Sequence, residues 1–259
     1  MKKADLKVFL DEKAQLYEHP NFLDTDPIQI PHRFSKKEDI EIIGFLTATI
    51  AWGNRVSIIN SATKIVALMD QAPFDFICQH TLKDRKRCDG FVHRTFNGED
   101  LSFFFQALQF IYTKKGGLEP FFSAYHKDFY LYRAIHDFKT LFFSLPHNKR
   151  TEKHVADPLK NSAAKRINMF LRWMVRPSNQ GVDFGLWPKL KPAQLSCPLD
   201  VHTGNVARAL NLFTRKQNDH KALLLLDEVL RKMDPIDPVK YDFALFGLGV
   251  HEHFYCLGF

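Results

Sequence analysis

Glycine is scarce in this chain, at 12 of 259 residues, and period-two alternation of apolar and polar side chains is almost absent. Both shortages argue against a strand-rich fold with many tight turns. Cysteine occurs only at positions 78, 88, 197 and 256, with no Cys-x-x-Cys pair. Reduced thiols in a cytoplasmic protein are the simplest account. Long apolar runs are missing as well. The longest stretches without Asp, Glu, Lys or Arg are Ile42–Asn54 and Leu101–Thr113, 13 residues each, too short to span a bilayer. No apolar stretch follows the Met-Lys-Lys start, so no signal peptide is expected.

Phenylalanine is abundant instead, with 25 copies, which suits a core of packed helices. The chain is basic, with a formal net charge of +7. Such a surface favours polyanions: nucleic acid, an acidic membrane face or a phosphorylated substrate. Nearly all the excess lies in residues 136–176, where nine cations (Lys139, Lys149, Arg150, Lys153, Lys160, Lys165, Arg166, Arg172, Arg176) face only Asp137, Glu152 and Asp157.

Helical spacing runs through Ile40, Ile43, Phe45, Leu46 and Ile50, breaks at Trp52-Gly53-Asn54-Arg55, and resumes through Val56, Ile59, Ala62, Ile65 and Val66. Ser35 with Glu38 three residues on reads as a capping box opening the first of these helices. Further helices are predicted over Asp100–Thr113, Phe121–Phe143, Ser162–Val175, Val201–Leu210, His220–Met233 and Pro238–Leu248, the last with Asp237 as N-cap. The fold class is all-α, and 144–160 and 176–199 are the long loops.

Three constellations bear chemistry. His136-Asp137, among His126, His147 and His154, could belong to a metal-dependent phosphohydrolase of the HD type, although a solvated helix face is the commoner meaning of such a doublet. His251-Glu252-His253 offers two zinc ligands without a third. The third is Cys197-Pro198-Leu199-Asp200-Val201-His202-Thr203, in which Asp200 precedes a predicted helix and serves at least as its N-cap.

That segment, PLDVHTGNVARAL, resembles the catalytic-aspartate segment of the helix-hairpin-helix DNA glycosylase superfamily, the group of endonuclease III and oxoguanine glycosylase. ALLLLDEVLRKMDPIDPVKYDFALFGLGVHEHFYC is similar to the family's next two helices, and DIEIIGFLTATIAWGNRVSIINSATKIVALM resembles its early helix pair. Taken whole, the chain also resembles an uncharacterised bacterial family known only as a domain of unknown function. The first resemblance implies one globular unit over 1–259 with two helical lobes, 38–160 and 1–37 plus 161–259, and a cleft between them. It also implies double-stranded, damaged DNA as partner, and base excision repair by a hydrolase that cleaves the N-glycosidic bond, with AP-lyase activity as an addition.

Residue by residue, the resemblance makes Asp200 the carboxylate that stabilises positive charge on the sugar and Lys165 the amine that attacks it. A nucleophilic lysine must be neutral, which nearby cations favour; Arg166 and Arg172 share its predicted helix. The superfamily's Leu-Pro-Gly-Val-Gly hairpin is replaced by Asp157-Pro158-Leu159-Lys160-Asn161-Ser162-Ala163-Ala164. Lys160, Asn161 and Ser162 therefore take over the phosphate contact that glycine backbone would make. Arg166, Asn168, Arg172 and His202 complete the expected nucleic-acid contacts on this side. Trp52, Asn54 and Arg55 stand where the family places its intercalating wedge, and Phe184, Trp187 and Phe213 are candidate pocket walls. The 35-residue spacing from Lys165 to Asp200 is long, as in one branch of oxoguanine glycosylases. Cys256 is followed only by Leu-Gly-Phe, so no iron–sulfur cluster or other cofactor is expected. Two rivals remain: a non-catalytic nucleic-acid-binding module on the same fold, and the HD phosphohydrolase.

Overall fold

The computed structural model describes residues 3–177 and 180–254. It is predominantly helical. The helices are α1 (Lys3–Tyr17), α2 (Lys37–Thr49), α3 (Arg55–Leu68), α4 (Pro73–Gln79), α5 (Leu82–Arg85), α6 (Gly98–Lys114), α7 (Leu118–Ser123), α8 (Tyr132–Phe142), α9 (Lys165–Val175), α10 (Val201–Ala209), α11 (His220–Met233) and α12 (Tyr241–Val250). Among the described residues the only sheet is a hairpin of two-residue strands, β1 (Val92–His93) and β2 (Phe96–Asn97). Cys256 lies outside the described residues.

The chain divides into two compact units, one of 1–22, 128–133 and 157–259, the other of 23–127 and 134–156. In the first, α1 packs on α12. Leu6, Leu10 and Ala14 recur every four residues and so share one face of α1; all are buried, with Val206, Leu223, Leu226, Leu230, Tyr241, Leu245 and Leu248 in the same cluster. Contact is close because Gly247 has no side chain: a Cβ there would meet the Tyr17 ring at 2.2 Å. This first helix is not legible from the sequence, because its apolar residues do not keep to one face: Val8 and Leu16 are exposed.

The second unit absorbs much of the phenylalanine. The Phe45 ring lies 5.9 Å from Phe104 and 5.4 Å from Phe142, which itself lies 4.8 Å from Phe104. Each buried ring contributes roughly 1.5–3 kcal/mol.

Three expectations need correcting. The helix expected to open at Ser35 has Lys36 as its N-cap, with no side-chain cap bond; its first-turn Asp39 accepts the Phe74 N–H instead, at 2.7 Å. The single helix expected over 121–143 is two, α7 and α8. Part of the connection, 128–133, belongs to the first unit, where Gln194 Nε2 donates to the Asp128 carbonyl at 2.6 Å. Asp237 makes no cap bond to the turn that follows it, because its carboxylate accepts from Arg176 Nε at 2.7 Å.

A candidate active site around Asp242

Helix α9 carries Lys165, Asn168 and Arg172 at intervals of three and four, and Arg176 follows at its C-cap, so these side chains share one face. Arg172 is buried, with Nε 3.3 Å from Asp183 Oδ1 and Nη1 hydrogen-bonded to Asp242 Oδ2. Arg176 forks onto Glu18 at 2.6 and 2.8 Å and also donates to Asp183 at 3.2 Å. The Phe243 ring lies 4.3 Å from the Arg172 guanidinium and 5.4 Å from that of Arg176. Two guanidinium groups thus face four carboxyl groups (Glu18, Asp183, Asp237, Asp242). Acid is in excess where dielectric screening is poor, so ionisation is opposed. Burial pushes the Asp183 and Asp237 carboxyls up, against the pull of the arginines. Burial pushes Asp242 to about 6, with Arg172 opposing it.

Asp200 is the N-cap of α10: its Oδ1 accepts the Thr203 N–H at 2.9 Å. Asn218 Nδ2 donates to the Asp200 carbonyl at 2.8 Å, closing the turn from the other side. Helix α10 packs on α12, where Gly249 makes room for His202: a Cβ on the glycine would meet that of His202 at 3.0 Å. Asp242, near the start of α12, is acted on by the negative charge of Asp200, which raises its pKa, and by the positive charge of Lys165, which lowers it. Two side chains 35 residues apart in sequence thus both act electrostatically on one buried carboxyl. Beside it, the Cys197 thiol lies 3.8 Å from Asp242 Oδ1, and the Cys197 N–H donates to Asp227 Oδ1 at 3.0 Å. Burial, then Asp242, push that thiol well up. Lys165 Nζ itself donates to the Met169 sulfur at 3.4 Å.

The segment 157–164 before α9 lacks glycine yet takes left-handed backbone twice, at Asn161 (φ +63) and Ala164 (φ +48). Asparagine tolerates this by its short polar side chain; here Asn161 Nδ2 donates to Asp219 Oδ2 at 3.1 Å. Alanine has no such compensation, so the residue immediately before Lys165 is strained. Ser162 Oγ accepts the Ala164 N–H at 3.1 Å. Lys160 and Asn161 are exposed, and Ser162 and Arg166 half-buried; burial lowers the Arg166 guanidinium to about 10.

Two residues expected to contact nucleic acid lie in the interior. Asn168 is buried and donates to the Ala163 carbonyl at 3.0 Å, and Arg172 is engaged by Asp183 and Asp242 as described. The basic window is dispersed in the same way: Arg150 binds Asp100 at 3.0 Å, Lys139 donates to the Glu152 and Val155 carbonyls, and Arg176 is buried. A charge count along the chain cannot separate solvated cations from interior ones. Trp187 and Phe213, candidate pocket walls, are core residues.

In the second unit, Trp52 is half-buried, edge-on to His93 at 5.1 Å and stacked on His154 at 5.9 Å. Asn54 caps α3 by accepting the Ser57 N–H at 3.2 Å, and Arg55 Nη1 is 3.5 Å from Thr25 Oγ1. Gly53 has φ +97, and a Cβ on it would meet Arg94 Nη1 at 2.9 Å. Arg94, itself at φ +54 on the tip of the β1–β2 hairpin, therefore belongs to this turn. Its only sequence signal was a short Thr-Phe-Asn-Gly turn region, and it was missed. Asp242 and Asp183 have no motif either, the one lying in an apolar stretch and the other in a loop, whereas Cys197 opens the segment that carries Asp200.

The other constellations have structural partners. Asp137 accepts the Tyr125 hydroxyl at 2.7 Å, His154 lies 3.3 Å from Asp100, and His147 lies 3.3 Å from Glu152. His251 stacks on Tyr17 at 5.5 Å, and Glu252 accepts from Lys13 at 2.6 Å. Among the described residues, no three His, Cys, Asp or Glu side chains are grouped to hold a metal ion, and no helix is long and apolar enough to cross a membrane.

A family model matches residues 26–251, and the chain belongs to that family, described as "Protein of unknown function (DUF2400)". No curated protein and no solved structure matches it.

Proposed function

We propose that this member of a family without an assigned activity has a helix-hairpin-helix glycosylase-like fold and excises a damaged base from double-stranded DNA. What supports the reading is geometric: Arg172 of α9, the helix that Lys165 opens, is hydrogen-bonded to Asp242 of α12, and α12 packs on α10, the helix that Asp200 caps. A base must first be extruded from the stack into a pocket. As the C1′–N bond breaks, positive charge grows on the sugar. Asp200, held at a helix N-terminus that favours an ionised carboxylate, is suited to offset it. The departing base leaves with the electron pair of the broken bond and takes up a proton. Attack of neutral Lys165 Nζ on C1′ instead of water displaces the base and leaves the amine bonded to the closed sugar. The C1′–O4′ bond then breaks, O4′ keeps its electron pair and takes up a proton lost by the amine, and the resulting imine is open to β-elimination, which is lyase chemistry.

Borohydride should trap wild-type protein on duplexes carrying a damaged base or an abasic site. Lys165→Ala should abolish trapping and retain DNA binding. Asp200→Asn should slow base release while keeping a polar N-cap. No base release and no trapping across a panel of lesions would remove the catalytic reading.

A non-catalytic nucleic-acid module is favoured by one observation: Lys165 Nζ is engaged by the Met169 sulfur one turn further along its own helix. Salt-dependent duplex binding without turnover would establish that reading. Chelator-sensitive activity would instead favour the phosphohydrolase built on His136 and Asp137.

A further inference from the structure

Residues 128–133 carry three rings in the first unit. Phe129 is 70% exposed, and its ring stands edge-on to Tyr130 at 4.7 Å. Tyr130 is 5.5 Å from Tyr132, and Tyr132 is 5.3 Å from His220. The series ends at the segment before α9, because the His220 N–H donates to the Asn161 carbonyl at 3.2 Å.

Lone exposed apolar residues are ordinary. Here, however, the exposed Phe129 ring stands against an anchored one, Tyr130. The Arg231 guanidinium lies 4.3 Å from the Tyr130 centroid. That guanidinium is itself fixed, by the Ala193 carbonyl at 3.1 Å, by the Leu195 carbonyl, and by Asp227 at 3.5 Å. Gln194 pins the backbone at Asp128. An aromatic face held in place in water loses little entropy when it binds.

The charge around the rings selects the partner. Lys160, Arg133 and Lys221 are exposed and adjoin Asn161, Tyr132 and His220 in sequence. Asp219, the nearest acid to His220, is satisfied by Arg215 Nε at 2.7 Å and by Asn161. Rings interleaved with cations suit a strand of unpaired bases, which stack on aromatic faces while their phosphates meet lysine and arginine.

We propose that the ladder Phe129–Tyr130–Tyr132–His220 is a stacking path for a single DNA strand, with Phe129 as its outermost platform. This rests on the reading in which the segment before α9 meets the DNA backbone, and it adds an unpaired strand to the substrate.

The test is fluorescence anisotropy of the full chain with a labelled single-stranded oligonucleotide and with the same oligonucleotide annealed. Phe129→Ala should weaken single-strand binding roughly tenfold, Phe129→Leu by a similar factor, and Phe129→Trp by less than about twofold, since only the tryptophan keeps a π-face. Duplex affinity should change little, and thermal melts should show each variant folded. Unchanged binding by Phe129→Ala, or no single-strand binding by wild type, overturns the proposal. Full binding by Phe129→Leu also overturns it, because the patch would then be a plain apolar contact for a protein. Base release from lesion duplexes, measured in parallel, separates the two ideas. Release with Phe129→Ala binding unchanged sinks the stacking path alone. Loss of single-strand binding in a protein that releases no base sinks the glycosylase reading alone.

Discussion

Arg172 Nη1 is hydrogen-bonded to Asp242 Oδ2, and both side chains are more than nine-tenths buried, at 4% and 9% exposure. The pair links α9, which begins at Lys165, to α12, which lies against the helix capped by Asp200. Removing one partner of such a pair leaves an uncompensated buried charge.

Arg172→Met should therefore lower stability by about 3–5 kcal/mol, because it leaves both Asp183 and Asp242 without this cation. Urea denaturation reads the change. A loss below about 1 kcal/mol would mean that Arg176 and solvent already satisfy those carboxyls.

The same site predicts a pH dependence. Asp242 holds its proton to about 6 in the folded protein, mainly because it is buried, against 3.8 ordinarily. The unfolded chain releases that proton first, so this contribution to stability is full below about pH 4 and is lost as the pH rises through about 6. Asp242→Asn cannot ionise. Relative to wild type it should gain up to about 3 kcal/mol between those pH values. Unfolding free energies of both proteins across this range decide it, and a pH-independent difference would rule out the raised carboxyl.

Close approach of α1 and α12 depends on Gly247. Gly247→Ala places a Cβ within 2.2–2.6 Å of three Tyr17 ring atoms, where the helices must separate or the ring must rotate. Overpacking of this kind costs about 1–3 kcal/mol, and Tyr17→Ala in the same chain should recover part of the loss. A melting temperature unchanged by Gly247→Ala would show that the ring moves freely.

Lys160 is the exposed cation of the turn Pro158–Lys160 before α9. Reversing it, as Lys160→Glu, should weaken duplex binding about equally for all sequences and reduce the salt slope by roughly one. No change in either quantity would place the DNA interface elsewhere.

The helical class was legible in the sequence because 3.6-residue periodicity is a local property. α10 and α11 follow the N-cap residues Asp200 and Asp219, since a cap acts within three residues of itself. Local pattern also gave Asp200 as an N-cap, whereas Asp200 and Lys165 became catalytic candidates only through the family resemblance. What sequence could not show was set by neighbours distant along the chain. Arg172 and Lys160 are both cations of one basic window, yet one is interior and the other is exposed. Only the positions of Asp183 and Asp242 decide between them, because burial of a charge is tolerated only where an opposite charge is brought to it. Asp242 is the clearest case. Nothing in Tyr-Asp-Phe-Ala-Leu marks a buried carboxyl, and its raised pKa arises from packing that removes water and from the negative charge of Asp200, against the opposing charges of Arg172 and Lys165.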